Sequence, residues 1–512
     1  MATTPWMTTN DLIEAVKRKI SFPTSQATFT DQDIVKFANE EMFISQVPSV
    51  LEYHEEYFVY QKTVPLKTNV NRYAIPDRAT GMKLRDLFFQ DSNGNLVEMV
   101  RVNADDRAFF QRNVGANTTV YKFFLQGNDV VITPSVTSDP SGSLLFVFFL
   151  RPNQLVVNSR AASINGFNQT ITVNSSLIQV LDTVNVDNAL FTAVNTNGGS
   201  ISAIEYYSSL ETKITTSTPH QLTEGQIVTI SGSDCVPSID GDYEVSVLDD
   251  TKFLITKEIG VNGSTGSFTS PNFFVIGGTD ALTTTNLTSA INLVGLGDNG
   301  PISATSSTNV IQLKFQSIKS TVSTSRTVAF VIPQNTIGIQ FDNVPTTFQD
   351  PDTLVTSPLF TDGSKIDLLQ RKPGHRTWCY DVQIPENGIS GNSVFFNKNS
   401  ILIPSMTTGN SDSSVIFELP DLEPGDYMCL ANEAIIPQIP PDLHTGLAER
   451  AAARILSAIG DLQGEQAQMQ KIQAIEERQG NLLDSRVDGS PIKIMNKMSL
   501  LRLGKFGTRR RY

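Results

Sequence analysis

The stretch IIPQIPPDLHTGLAERAAARILSAIGD, residues 435–461, decides how this chain is read. Its prolines, Pro437, Pro440 and Pro441, close off whatever precedes them, because proline cannot donate to a ladder or continue a helix from behind. Asp442 and Thr445 then supply helix-start chemistry. From Leu447 to about Gln479 the pattern predicts a helix, with Ala448, Ala452, Ile455 and Ile459 recurring at steps of three and four. Met469, Ile472 and Ile475 carry the apolar positions past Gly460 and Gly464, where a bend or break is expected. Beyond lies Ser490 to Tyr512, with Lys493, Lys497, Arg502, Lys505, Arg509, Arg510 and Arg511 and no acidic residue. The whole chain carries −13, so an acidic protein ends in a basic tail. That asymmetry predicts an arm that leaves its own subunit for an acidic partner. Ile494, Met495, Met498, Leu500, Leu501, Leu503, Phe506 and Tyr512 interleave with the charges. A purely solvating tail has no use for them, so the arm is expected to be extended and to dock in a groove or on a sheet edge.

The 512 residues leave room for two to four domains with real cores. Hydrophobic residues at 39% exclude a disordered chain. The acidic balance excludes a generic nucleic-acid binder. Cys235, Cys379 and Cys429 are sparse, odd in number and far apart, which argues against a disulfide framework and for a reducing cytoplasm. The opening MATTPWMTTND lacks a basic region followed by an apolar one, so no secretory signal is expected. The longest apolar run, Leu144 to Leu150, falls far short of the roughly 20 residues that span a bilayer. It suits a buried strand, and no membrane role is expected.

In chain order, Thr9 is expected to cap a helix with Leu12, Ile13, Val16 and Ile20 inward, and Thr30 to open a second, with Asp33 completing an acidic capping box. Helices at 9–20 and 30–44 each have one apolar stripe. They are expected to pack with the helix at 445–479 as one bundle. Strands are predicted at Tyr57–Tyr60 and Tyr73–Ile75. Leu84–Phe89 and Leu96–Val100 flank Asn93-Gly94, and Val120–Leu125 and Val130–Thr133 flank Gly127-Asn128, both hairpin signals. With Leu144–Leu150 these make an antiparallel unit over 55–150. From about 156 to 331 Ser, Thr, Asn and Gly dominate. Gln226–Ile230, Asp242–Val247 and Lys252–Thr256 read as strands of a small barrel or sandwich. A helix at Thr285–Leu293, with Leu287, Ala290 and Ile291 inward, and a strand at Val310–Phe315 form a second unit. Strands resume at Arg376–Val382, Ser393–Phe396, Ile401–Ile403 and Val415–Leu419.

The predicted class is α+β and β-rich: N- and C-terminal helices bundled with an antiparallel β unit, plus inserted small β-barrel or sandwich domains. The expected divisions are 1–155 (helices plus sheet), 156–270 (inserted barrel), 271–338 (second α+β insert), 339–434 (β region of the host fold), 435–489 (C-terminal helical region) and 490–512 (basic tail).

Chemistry-bearing patterns are scarce. His375 and Cys379 lie four apart, but a zinc site needs about four ligands and no second pair is near. His54 with Glu55 and Glu56 reads as a solvated loop cluster; His220 and His444 complete the four histidines. There is no Walker A, strand-turn GxGxxG, GxSxG or HExxH sequence. Gly232-Ser233-Asp234 and Gly263-Ser264 read as turns. Asp105-Asp106 and Asp249-Asp250 also sit in turn contexts, without the surroundings of a saccharide cleft. The sequence therefore predicts no catalytic residue, no metal and no cofactor: a protein that is not an enzyme.

Four stretches carry a resemblance: TDQDIVKFANEEMF (30–43), YAIPDRATGMKLRDLFF (73–89), FFLRPNQLV (148–156), and GDYMCLANEA followed by the opening stretch (425–461). In this order, with the basic tail, the chain resembles the head-to-tail adaptor (connector, or neck) proteins of tailed bacteriophages over roughly residues 8–155 and 340–512. TPHQLTEGQIVTISG with IDGDYEVSVLDDTKFLI is similar to a small β-barrel repeat of phage virion proteins. TTTNLTSAINLV with NVIQLKF is similar to a module of phage tail and flagellar structural proteins. Compact adaptors lack so long an insertion.

The resemblance implies a structural virion protein at the head–tail junction, assembled in the host cytoplasm. It implies a homo-oligomeric ring, a dodecamer in family members, that joins the portal protein to other neck or tail proteins. Genomic double-stranded DNA passes through without sequence-specific binding during ejection, and an acidic lumen would repel phosphate. The portal-binding arm is then assigned to Lys493, Lys497, Leu500, Leu501, Arg502, Lys505, Phe506, Arg509, Arg510, Arg511 and Tyr512. DNA is the rival partner of that arm, and the hydrophobes favour protein. Residues 156–338 are expected outside the ring. The alternatives are a tail hub, baseplate or fibre-attachment protein and, against the presence of only Trp6 and Trp378, a glycan-binding tail protein.

Overall fold

The computed structural model describes residues 7–20, 29–53, 55–91, 94–106, 121–134, 142–294, 296–297, 300–342, 348–349, 356–357, 359–371, 379–408 and 413–483. The basic segment 490–512 lies outside the described residues, as do His54, Asn93, His375 and Trp378.

The first helix, Thr9–Lys19, is capped by Thr8 rather than by Thr9. Thr8 Oγ1 accepts from the Asp11 amide (3.3 Å), and the Asp11 carboxylate accepts from the Thr8 amide (2.9 Å). Thr9 is unavailable because it is fully buried, and its hydroxyl and amide both donate to the Ile435 carbonyl (3.0 and 2.7 Å). The N-terminus is thus tied to the proline-rich stretch 426 residues away. Thr30 caps the second helix, Asp31–Glu41, with Asp33 closing the box. That helix runs through a π-turn, Met42–Gln46, into Val47–Tyr53. Pro48 has no amide hydrogen, and its ring would press on the Ile44 carbonyl. The widened turn, in which the Val47 amide donates to Met42 O, makes room for it.

The C-terminal helix starts at Pro441, not Thr445, because proline is pre-set for the first helical position. Asp442 sits in its first turn. It ends at Ile459, where Gly460 adopts φ 81°. A second helix, Leu462–Leu483, then folds back so that Glu476 pairs with Arg450. The break expected at Gly460 and Gly464 falls at Gly460, and Gly464 lies inside the second helix. Leu12, Val16, Ile34 and Ala38 share one apolar cluster with Leu443, Leu447, Ala451 and Ile455.

Residues 59–150 form two four-stranded sheets on a common core of Leu87, Phe123, Val130, Phe146 and Phe148. One orders Val59–Pro65, Gly142–Leu150, Ala79–Asp91 and Leu96–Glu98; the other orders Arg72–Ala74, Asp129–Thr133, Lys122–Gln126 and Val100–Arg101. The last pairing is parallel. Tyr57 and Phe58 belong to a 3₁₀ turn, Glu55–Phe58, instead of opening the strand.

The middle strand of the largest sheet, Ala162–Val173 (ASINGFNQTITV), is one the sequence reading passed over. It pairs with Tyr427–Leu430, Val310–Phe315, Phe330–Val331 and Thr336–Phe341. Its alternation is masked by Ser, Asn, Gln and Thr, and by a bulge between Ile164 and Gly166. A Cβ at Gly166 would stand 2.7 Å from Lys314 Cε and 2.9 Å from the Phe315 carbonyl oxygen, so only glycine fits. The sheet continues through Lys365–Leu369 and Cys379–Gln383 on one flank, and through Ser393–Asn397 and Ile389–Ser390 on the other. Phe167, Phe315, Phe341, Ile366 and Phe396 fill one cluster beneath it. The boundary expected at 338/339 therefore runs through a paired strand, and a cut of 156–338 removes the sheet's middle. Near the end of this region Lys398–Ile401 is a 3₁₀ turn, and the strand starts only at Ile403.

What closes on itself is smaller. Gly199–Tyr206, Thr212–Thr216, Lys252–Ile255, Gly241–Asp249, Ile227–Ser231 and Ser267–Thr269 form a closed barrel around Ile204, Ile214, Val228, Phe253 and Phe268. It leaves and re-enters the chain between Ala189–Val194 and Phe273–Val275, which pair with each other in parallel. The helix Asp280–Val294 starts five residues before the expected Thr285 and buries Leu287, Ala290 and Ile291.

Candidate functional site

Arg78 lies in the turn before Ala79–Asp91 and is almost wholly buried. Its Nη2 donates to both oxygens of Asp367 at 2.8 Å, its Nε to Asp381 Oδ2 at 3.0 Å and its Nη1 to Asn153 Oδ1 at 2.7 Å. The Tyr380 ring covers the guanidinium at 4.5 Å. Asp367, fully buried on Lys365–Leu369, also accepts from Asn153 Nδ2 (2.7 Å) and from the amides of Asp381 and Asn432 (2.9 Å each). Asn153 in turn donates to the Glu433 carbonyl (2.9 Å), and its amide donates to Gln438 Oε1 (2.7 Å).

The local backbone is built for this. Ile366 faces Val382 and Leu368 faces Cys379, so Asp367 alone opposes two residues, a bulge in Cys379–Gln383. Asp381 takes φ 56° there, which turns its carboxylate onto Arg78. Burial works against the charge of Arg78, but the hydrogen bonds and charges of Asp381 and Asp367 outweigh it and raise its pKa. Burial raises the pKa of Asp367, against the pull of Arg78 and two amides. A buried guanidinium with this many partners is a structural clamp, because losing any one partner strands a charge.

Beside the clamp opens a cleft of ≈ 430 Å³. Tyr60, Gln61, Lys62 and Thr63 of the strand Val59–Pro65 form one wall; Tyr380 and Asp381 form another. Arg151, Lys365 and Phe417 complete its lining.

A second charged cluster sits on the π-turn. Glu41 accepts from Arg454 Nε (2.6 Å), Arg450 Nη1 (3.2 Å) and Ser45 Oγ (3.1 Å). Burial works to raise its pKa, but these donors prevail and lower it. Lys19 pairs with Glu449, so both N-terminal helices are also bound to the C-terminal one by charge.

Cys379 is buried, with Sγ donating to the Ile401 carbonyl at 3.1 Å, and burial pushes its thiol up to about 12. It is a packed thiol, not a metal-ready thiolate. Among the described residues no group of three or more His, Cys, Asp or Glu is placed to hold a metal, and no helix is long and apolar enough to cross a membrane. His220 bonds within the barrel, its Nε2 2.8 Å from the Asp249 carbonyl. The eleven residues assigned to the portal-binding arm lie outside the described residues.

Sequence reasoning did not foresee the clamp, because its members are single polar residues with no mutual spacing. Arg78, Asn153 and Asn432 each sit in a stretch that carries the adaptor resemblance. No family model and no curated protein sequence matches this chain.

Proposed function

We propose that this chain is a structural virion protein of a tailed bacteriophage. In this reading it is a head-to-tail adaptor that forms a homo-oligomeric ring, docks on the portal protein, contacts the next neck or tail protein and lines the DNA exit path. It acts through interfaces and needs no catalytic centre or cofactor. The observation that supports the reading is convergence. Arg78, Asn153 and Asn432 come from three of the four resembling stretches and meet around Asp367. The fourth, 30–43, packs through Ile34 and Ala38 on the helix that starts at Pro441. Segments hundreds of residues apart thus interlock as one body. In this reading the helices Thr9–Lys19, Asp31–Glu41 and Pro441–Ile459 act as a bundle within it. The barrel stands outside, and residues 490–512 supply the arm to the portal.

The net charge of −13 per copy suits a channel through which phosphate must slide. A second reading, a tail-hub or fibre-attachment protein, draws support from the barrel, where Tyr206, Tyr207 and Leu210 are exposed together at one turn. Electron microscopy with native mass spectrometry of the purified chain separates the two. A closed ring with a central hole supports the adaptor; a trimeric spike, or a monomer at assembly concentrations, overturns it.

A further inference from the structure

We propose that the cleft beside Arg78 is a binding site for an extended acidic peptide, taken up as an added strand on the outer edge of Val59–Pro65, at the backbone of Val59, Gln61 and Thr63. This does not rest on the ring reading, and either can fail alone.

The edge comes first. Among the described residues Val59–Pro65 pairs with one strand only, Gly142–Leu150, and is the terminal strand of its sheet. Every second residue of such a strand turns its amide and carbonyl away from the sheet. Pro65 at its end has no amide to offer, which fits an edge. An exposed edge is a template for another chain, and proteins normally blunt or cover it. Here residues 60–63 line a cleft instead, and the hairpin Ile403–Thr408 with Ser413–Glu418 stands beside the edge without pairing to it.

Charge comes second. Lys62, Arg78, Arg151 and Lys365 line the cleft against Asp77 and Asp381. Arg78 holds Asp381, so its charge is spent inside the wall. Lys62, Arg151 and Lys365 are exposed and form no ion pair among the described residues. Three cations with no ion pair among the described residues line one cleft, against the charge of a chain at −13. Tyr60, Tyr380 and Phe417 are the aromatic members of the lining. Main-chain pairing gives such a site its affinity, and alternate side-chain positions give it its choice of guest. Basic walls select acidic residues on alternate positions of the guest. A small anion would use the cations but leave the edge unpaired, and the edge is what makes the peptide the fitting occupant.

The test uses the full chain and a fluorescein-labelled seven-residue peptide that alternates valine with aspartate or glutamate, read by fluorescence anisotropy at low salt. Saturable binding is expected. The Lys62→Glu, Lys365→Glu double variant turns two attractions into repulsions and should weaken binding about tenfold, with an unchanged melting profile as the folding control. A peptide N-methylated at alternate positions keeps the charges and loses the main-chain bonds, and should also weaken about tenfold. The lysine counterpart peptide should not bind. Absence of saturable binding, equal binding by the double variant, or equal binding of the N-methylated peptide overturns the proposal. The last outcome would leave a site that reads charge alone.

Discussion

In the barrel every strand finds its partners within residues 199–269. Around Arg78 the partners lie 75, 289 and 303 residues away along the chain. The entropy of closing a loop grows slowly with its length, so distant contacts are not forbidden. Their weakness is interdependence. Asp367 holds Arg78, Asn153, Asp381 and Asn432 together, so losing one loosens the rest. The barrel closes its own hydrogen bonds and core, and should open and refold as a unit of its own. One region is joined by charge across the chain, the other by local pairing.

The largest expected effect breaks the first region alone. Arg78→Ala leaves Asp367 buried without its cation, a loss of about 3–5 kcal/mol. Calorimetry should show the body's transition falling and the barrel's staying in place. If both fall together, the two regions are one cooperative unit.

Acid should separate them next. His444 Nδ1 accepts from the Met7 amide at 3.1 Å, and Nε2 faces the Pro437 and Ile439 carbonyls at 3.1 and 3.2 Å. Burial lowers its pKa to about 4, against the pull of those carbonyls and Asp442. The unfolded chain therefore takes the proton first. The neutral ring's contribution is full above 6.5 and is lost as pH falls toward 4. The ceiling is about 3 kcal/mol. Asp367 and Glu433, raised by burial, act in the opposite sense, since acidification favours their folded forms. The measurement is thus the difference between the parent and His444→Gln across that pH range, which should narrow in the body's transition. In the barrel Asp249, held to about 2 first by the Thr251 amide, keeps its contribution until pH falls below 3.8. Glu224, lowered first by the Val247 amide, starts to lose its contribution near the ordinary 4.5, so it is a barrel transition that weakens between pH 6.5 and 5.5 that would contradict this.

The same contrast governs what could be read beforehand. The barrel's strands Asp242–Val247 and Lys252–Thr256 were legible to within two residues, because alternation and turn residues are local signals. So were Thr30 with Asp33, and the inward face Leu287, Ala290 and Ile291. Ala162–Val173 was not, because polar residues such as Asn168 and the bulge at Gly166 mask its alternation. Thr9 misled for a related reason: its partner, Ile435, is remote. The clamp was invisible because nothing local requires Arg78 to find Asp367.

Excision should have a smaller effect. Ala189–Val194 and Phe273–Val275 pair in parallel, so the chain must return along the strand, and a Gly-Ser linker of about a dozen residues would replace 196–271. Val194 and Phe273 belong to the barrel's cluster and would lose that cover. The body should therefore persist with a loss of about 2 kcal/mol. Circular dichroism melts of the excised chain check this. An insoluble or unfolded product would show that the barrel is not separable.

The smallest effect tests whether the body feels local signals at all. Helices of eleven residues are marginal alone, so their caps count. Thr30 Oγ1 accepts from the Asp33 amide at 3.2 Å, and the Asp33 carboxylate accepts from the Thr30 amide at 2.9 Å. That amide first, then the Thr30 hydroxyl, lowers the Asp33 pKa. Thr30→Ala removes the hydroxyl and leaves one end donor to water, a loss of about 1 kcal/mol. The helix it starts ends in Glu41, which binds Arg450 and Arg454, so the loss should appear in the body's transition and not in the barrel's. Asp33→Asn should cost less, because the amide oxygen still accepts the Thr30 N–H and only the charge near the helix start is lost. Denaturant titrations of both variants would show the ranking. If Thr30→Ala leaves the body's midpoint unchanged, tertiary packing alone sets that helix, and the contrast between a locally encoded barrel and a remotely joined body extends even to the helix caps.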